Sequence, residues 1–246
     1  MKTIHRKESH LDSWPPGKKL AVLCNRNLRK AHRLFRTFPV SRYDSIMDIG
    51  AHRGEFALRA GAYFEPSRIW LVEADPSMVE MLNRDFSGRA GWTILHSAVS
   101  DVTGEVELRI NEHRESSSIL PIEEISAHTF GKEMKEVDKV VVPALSLDDL
   151  FDQQGISSVD LLKVDIQGAE RLLIEGGKKA LTRTRAIYLE VNFERFYSSA
   201  PLFAEIDGLL RDAGFKLRSF HENRLGSDGA LAYANALYIQ PALFGK

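Results

Sequence analysis

Cysteine is almost missing from this chain of 246 residues: Cys24 stands alone, which excludes an internal disulfide framework and a zinc site built from several thiolates. Net charge is missing too. Lys and Arg (33) balance Asp and Glu (34) to a formal −1, so no global field draws the protein to nucleic acid or to an acidic membrane. No apolar run is long enough to span a bilayer, and the opening M-K-T-I-H-R-K-E-S-H has no apolar core of signal-peptide type. There are no internal repeats and no low-complexity segment. The default expectation is a cytoplasmic enzyme, with neither nucleic acid nor membrane insertion among its partners. Its hydrophobic content of 43% and its length suit one large α/β domain with a well-buried core.

Residues 1 to about 18 read as a polar lead-in closed by Pro15-Pro16-Gly17. From about Leu20 to Phe38, helical spacing places Leu28, Ala31, Leu34, Phe35 and Phe38 on one stripe, with Arg26, Arg29, Lys30, Arg33 and Arg36 opposite. This divides the chain into an N-terminal segment, 1–40, and a main domain, 41–246. From Ser45 strands alternate with helices: strands at Ser45–Ile49, Ile69–Val72, Trp92–Val99, Val159–Val164 and Arg185–Val191, with helices between most of them. That alternation predicts a doubly wound, mostly parallel sheet. Glu105–Ile110 reads as an antiparallel partner after the Asp101-Val102-Thr103-Gly104 turn, and Asn111 to Lys135 as a long polar loop. Lys216–His221 and Leu231–Gln240 have no helix between them, which predicts an antiparallel edge hairpin.

The most informative stretch is Ser45 to Ala57, S-I-M-D-I-G-A-H-R-G-E-F-A. A short apolar strand meets Asp48, glycines follow at Gly50 and Gly54, and a helical pattern begins. The spacing is D-x-G-x-x-x-G and not the G-x-G-x-x-G of dinucleotide sites. An acidic strand end without a phosphate cradle suits a ligand that presents a cation, as S-adenosylmethionine does with its ammonium and sulfonium. A second strand ends in Glu73, about 20 residues beyond the glycine loop, where a carboxylate can take both ribose hydroxyls.

Further blocks resemble one family, the FkbM-type S-adenosylmethionine-dependent methyltransferases. D-I-G-A-H-R-G-E-F-A is similar to that family's D-V-G-A-N-x-G-Q-F-A, V-E-A-D-P to its F-E-P-x-P, S-A-V-S-D-V-T-G to its A-L-G/S-D-x-x-G turn, and L-L-K-V-D-I-Q-G-A-E-R-L-L-I-E-G to its L-K-I-D-V-Q/E-G-x-E-x-x-V-L-x-G. S-S-S-I-L-P matches a serine block of one branch. The resemblance covers roughly Tyr43 to Ile239. It implies a Rossmann-like, seven-stranded class I methyltransferase fold and methyl transfer, typically to oxygen on a sugar, glycan or secondary metabolite. Carried over, Asp48, Gly50 and Gly54 would hold the methionine end of the cofactor, Glu73 the ribose, and Ser97 and Ala98 would border the adenine, with Ala51, His52 and Ala74 as further cofactor-binding candidates. The chain departs from the pattern at His52, Glu55, Ala74 and Asn192, and at Asn235, where Asp is frequent.

An aliphatic hydroxyl needs a proton acceptor or a Lewis acid before it attacks a methyl group. Asp165 and Glu190 end adjacent strands at the carboxyl edge where doubly wound sheets bind ligands, and His221 follows the next strand. These three are the catalytic candidates. Asp165, Glu190 and Asn192 also offer oxygen ligands to a divalent cation such as magnesium or manganese. Strand alternation is read as turning Lys163 away from the cleft. His113, His128 and Ser116 to Ser118 are candidates for the acceptor pocket. An NAD-linked oxidoreductase and a non-catalytic nucleoside-cofactor-binding protein are the competing classes. The first lacks its glycine fingerprint, and the second has no need of Asp48, Glu73 and Asp165 together.

Overall fold

The computed structural model describes residues 26–40, 42–123 and 135–243. The chain enters through α1 (Arg26–Phe35) and then alternates through β1 (Ser45–Ile49), α2 (Glu55–Phe64), β2 (Arg68–Glu73), α3 (Pro76–Phe86) and β3 (Trp92–His96). After β4 (Ala98–Ser100), β5 (Gly104–Asn111) and β6 (Glu136–Ser146) it resumes with α4 (Leu147–Gln153), β7 (Val159–Val164), α5 (Glu170–Glu175), α6 (Lys178–Thr182) and β8 (Thr184–Asn192). It closes with α7 (Phe203–Asp212), β9 (Lys216–Leu225) and β10 (Leu231–Ile239).

Seven strands form one sheet in the order β3-β2-β1-β7-β8-β10-β9. β1, β2, β3, β7 and β8 run parallel. β10 lies antiparallel between β8 and β9, so the edge is a hairpin. The fold is the mostly parallel α/β architecture that the strand–helix alternation predicted, with the seven strands that the family resemblance implied. Strand order turns back between β1 and β7, and open α/β sheets gather their ligands at such a switch point.

Alternation along the strands sorts the core into two layers. Met47, Ile49, Val72, Leu162 and Val164 face α4, α5, α6 and α7. Ile46, Ile69, Leu71, Leu161 and Tyr188 face α1, α2 and α3. Each helix start has a physical cause. Asp75 caps α3 by accepting from Ser77 N, with Pro76 fixed at the first turn. Ser146 caps α4 by accepting from Asp149 N. Gly54 has no side chain to cap α2, and buried Asp48 substitutes by accepting from Ala57 N at 3.2 Å.

One strand differs from expectation. The apolar run Trp92–Val99 breaks at Ser97, whose amide donates to Glu73 O. Before the break β3 belongs to the large sheet, and after it β4 pairs in parallel with β6 in a separate three-stranded sheet, order β4-β6-β5. The antiparallel partner of β5 is β6, not the strand before it.

Of the N-terminal helical stretch, residues 20–25 lie outside the described residues. In α1 and just after it, Ala31, Leu34, Phe35 and Phe38 are buried, while Arg29, Lys30, Arg33 and Arg36 are exposed. Phe35 is the hub of an aromatic cluster, 5.2 Å from Phe38, 5.6 Å from Phe56 and 4.8 Å from Phe64 between ring centres. Such fully buried rings carry a large apolar area and further edge-to-face attraction. Phe35→Ala should lower unfolding free energy in denaturant titration by about 3–4 kcal/mol. A loss under about 1 kcal/mol would show that α1 is not part of the cooperative core.

Candidate active site

The glycine loop after β1 is built by close backbone approach. Gly50 has φ +70°, and a Cβ there would stand 1.8 Å from the Asp165 carbonyl oxygen, so no other residue fits without moving β7's end. The amides of Gly50 and Ala51 both donate to Val72 O, at 3.0 and 3.1 Å. His52 also adopts a left-handed conformation, φ 48°. Its amide donates to Glu73 Oε2 at 2.7 Å. Glu73 Oε1 accepts from the amides of Ala74 and Asp75, both at 2.8 Å. Three backbone donors thus fix the Glu73 carboxylate between the β1 and β2 loops and leave about one acceptor site, on Oε2, for a ligand in the cavity that Glu73 lines.

A cavity of about 240 Å³ opens at the carboxyl ends of β1, β2 and β7. Gly50, Ala51, His52, Glu73, Ala74, Ser97 and Ala98 line it at one end, and Lys163, Asp165 and Tyr188 at the other. Its cover comes from residues after β5. Arg114 pairs with Asp75 Oδ2 at 2.5 Å, Ser118 Oγ donates to Gln167 O at 2.7 Å, and the Tyr197 hydroxyl lies 2.9 Å from Ser116 O. Ser117 and Ser118 line the cavity. His113 opens the short turn before them and is not among the lining residues, and His128 lies outside the described residues.

Lys163 corrects the sequence reading. Alternation places it on the face shared by Leu161 and Tyr188, and that is the cavity's face. The alternation argument was misapplied: Lys163 stands two residues before Asp165, so alternation puts both on one side, and both line the cavity. Lys163 Nζ donates to Gly50 O at 2.8 Å and stands 3.1 Å from Asp48 Oδ1 and 3.7 Å from Asp165 Oδ2. Burial opposes its charge, but Asp48 and then Asp165 outweigh that and raise its pKa. Asp48 was expected to touch the ligand. It is fully buried, engaged by Lys163 and Ala57, and absent from the cavity wall, so it acts on the cavity only through those partners.

The catalytic candidates are divided. Asp165 lines the cavity and accepts from Gln167 Nε2 at 2.6 Å. Glu190 sits opposite Asn235 in the β8–β10 ladder, off the cavity wall. Burial, reinforced by the charges of Asp165 and Glu170, pushes its carboxyl well above the usual range. His221 also lies off the wall. It packs 5.7 Å from Phe38 and 5.8 Å from Tyr188, and its Nε2 is 2.8 Å from Ser219 Oγ. Burial lowers its pKa. Asn192 is buried, with no hydrogen-bond partner found for its Oδ1. Among the described residues no group of three or more His, Cys, Asp or Glu side chains is arranged to hold a metal ion. The divalent cation expected at Asp165, Glu190 and Asn192 gains no support from that donor set, and the Lys163 ammonium already supplies a positive charge beside Asp165.

Glu170 escaped the sequence reading, because in V-D-I-Q-G-A-E it looks like an ordinary first-turn acid. It is buried and turns back to accept from the amides of Ile166 and Gly168, at 3.2 and 3.3 Å. It thereby shapes the turn that carries Asp165. Burial, opposed by those amides and reinforced by Asp165, pushes its pKa up to about 7.

The comparisons with known proteins agree with this geometry. Among solved structures, the FkbM methyltransferase of Methylobacillus flagellatus superposes with a TM-score of 0.51 at 12% identity, over 94% of this chain and 56% of that one. Fold and glycine loop together define a class I, S-adenosylmethionine-dependent methyltransferase. Residues 48–217 match the Methyltransferase FkbM domain, and the chain belongs to that family. The 2-O-methyltransferase NoeI of Sinorhizobium fredii is 27% identical over 184 residues, 72% of this chain and 76% of the relative. The methyltransferase sdnD of Sordaria araneosa is 25% identical over 195 residues, 70% of this chain and 73% of the relative. Among the described residues no helix is long and apolar enough to cross a membrane.

Two measurements follow from the charge network. Lys163→Met leaves Asp48 buried without a counter-charge and should cost about 3–5 kcal/mol of stability. A variant that melts with the wild type would show the pair to be dispensable. For Glu170 the folded pKa lies above the ordinary glutamate value, so the native state holds the extra proton. Its favourable contribution is complete at low pH and is lost as pH rises toward about 7. Glu170→Gln should therefore raise the melting temperature relative to wild type at pH 8 and not at pH 4. An equal shift at both would refute the titration.

Proposed function

We propose that this chain transfers the methyl group of S-adenosylmethionine to a hydroxyl oxygen of a sugar, glycan or secondary metabolite, with Asp165 receiving the hydroxyl proton. The observation that carries this reading is the single cavity joining Glu73 to Asp165 across the glycine loop. Its residues fit the donor. Glu73 Oε2 keeps a fixed acceptor site for a ribose hydroxyl, Gly50 and Ala51 give a floor without long side chains, and Ser97 and Ala98 border the space left for the base. Arg59 is a cation on the wall beside them, suited to a carboxylate. When bound, the donor supplies a methyl carbon activated by a sulfonium.

This chain's residues supply the remainder. Asp165 accepts the proton as the acceptor oxygen attacks. Gln167 holds one of its oxygens, and Lys163 offsets its negative charge from 3.7 Å. The strap at Ser116–Ser118, tied down by Tyr197 and Gln167, limits water access. NoeI is a 2-O-methyltransferase, which supports an oxygen acceptor here.

The test is turnover on a panel of methyl glycosides with mass detection of the methyl ether. Asp165→Asn keeps the shape and removes the charge. Its kcat should fall by on the order of a hundredfold, with S-adenosylhomocysteine affinity changed far less. Near-normal turnover in that variant would remove Asp165 from the chemistry.

A further inference from the structure

A second carboxylate, outside the sequence motifs described above, lines the same cavity: Glu222. In the β9–β10 ladder Asn235 stands opposite His221 and Tyr233 opposite Arg224. Glu222 and Asn223 therefore oppose Ala234 alone, which is a β-bulge on the edge strand. Bulges bend a strand and re-aim one side chain, and they gather beside active sites. Glu222 adopts φ 50°, a left-handed conformation disfavoured for a side chain of its size.

The bulge brings the Glu222 carboxylate onto two donors rooted in the sheet. Tyr188 OH donates to Glu222 Oε2 at 2.9 Å, and Asn235 Nδ2 donates to the same oxygen at 3.2 Å. Tyr188 is itself fixed, buried and stacked on Phe56 with ring centres 5.7 Å apart. Glu222, Tyr188 and Asn235 all line the cavity. Among the described residues no partner is found for Glu222 Oε1, so one charged acceptor is left over. Asn235 also gains a reason. An aspartate there would set two carboxylates within hydrogen-bond distance, whereas the amide donates.

We propose that Glu222 is a positioning residue for the methyl acceptor: its free oxygen takes a hydrogen bond from a second hydroxyl of a polyhydroxylated acceptor, a sugar ring, and so fixes which hydroxyl meets Asp165. This rests on the sugar-acceptor reading above.

The test compares wild type with Glu222→Gln and Glu222→Ala on methyl glycosides, reading KM, kcat, the position methylated, the melting temperature and S-adenosylhomocysteine affinity by calorimetry. Glu222→Gln keeps shape and the Tyr188 bond, so it guards against loss of fold. For Glu222→Ala the glycoside KM should rise about tenfold or more, as expected for a lost charge-assisted hydrogen bond, and a second methyl ether should appear. Glu222→Gln should show a smaller rise in KM. S-adenosylhomocysteine affinity should stay within about twofold, since the donor's contacts lie elsewhere. Unchanged KM with a single product in Glu222→Ala would overturn the inference and leave the sugar reading standing. So would a tenfold loss of S-adenosylhomocysteine affinity in Glu222→Gln, which would move Glu222 to the donor side. A wild-type enzyme that methylates none of the glycosides would overturn the sugar reading, and this inference with it.

Discussion

The site depends on one buried ammonium. Lys163 Nζ lies at the switch point of the sheet, held by Gly50 O, Asp48 and Asp165. Taking that charge out of water costs several kcal/mol, which only a close counter-charge and full hydrogen bonding can offset. Asp48 gives the counter-charge and also takes Ala57 N at the head of α2. The pair therefore couples three parts that must stay in register: the glycine loop, the first turn of α2 and the end of β7. Gly50 locks the arrangement from the other side, because its Cα lies so close to Asp165 O that a Cβ has no room.

Around this centre the cavity has two ends of different character. At the Glu73 end, most polar groups are consumed by backbone: Glu73 takes three amides, and Ser97 Oγ donates to Ala98 O. That end is rigid and suits a ligand of fixed shape. At the Asp165 end, carboxylates are held by side chains instead, by Gln167, Tyr188 and Asn235. Side-chain partners are easily exchanged between relatives, so this end is where acceptor preference can vary while the donor pocket stays constant. Buried Glu170 and half-buried Glu190 lie near it, and desolvation raises the pKa of both carboxyls.

Much of the fold was legible in the sequence. Ser45–Ile49 and Val159–Val164 are short apolar runs ending in acid-rich or glycine-rich turns, and β1 and β7 have the bounds those patterns gave. The break at Ser97 was not legible, because Trp92–Val99 holds no glycine or proline to mark where the chain passes from one sheet to another. Lys163 was assigned to the wrong face although it was legible, since it lies two residues before Asp165 and alternation puts the two on one side. Glu222 could not be found at all from local pattern. Its direction arises from a register shift between two strands and from a tyrosine on a third. For the same reason Asp48, obvious in the motif, proved to be a support for Lys163 rather than part of the wall.

The central claim is that donor and acceptor meet in the cavity between Glu73 and Asp165. A crystal structure of the complex with S-adenosylhomocysteine tests it most directly. The account predicts a ribose hydroxyl on Glu73 Oε2, the base beside Ser97 and Ala98, and the sulfur turned toward Asp165. Density for the nucleoside outside this cavity, or a ribose with no contact to Glu73, would contradict it.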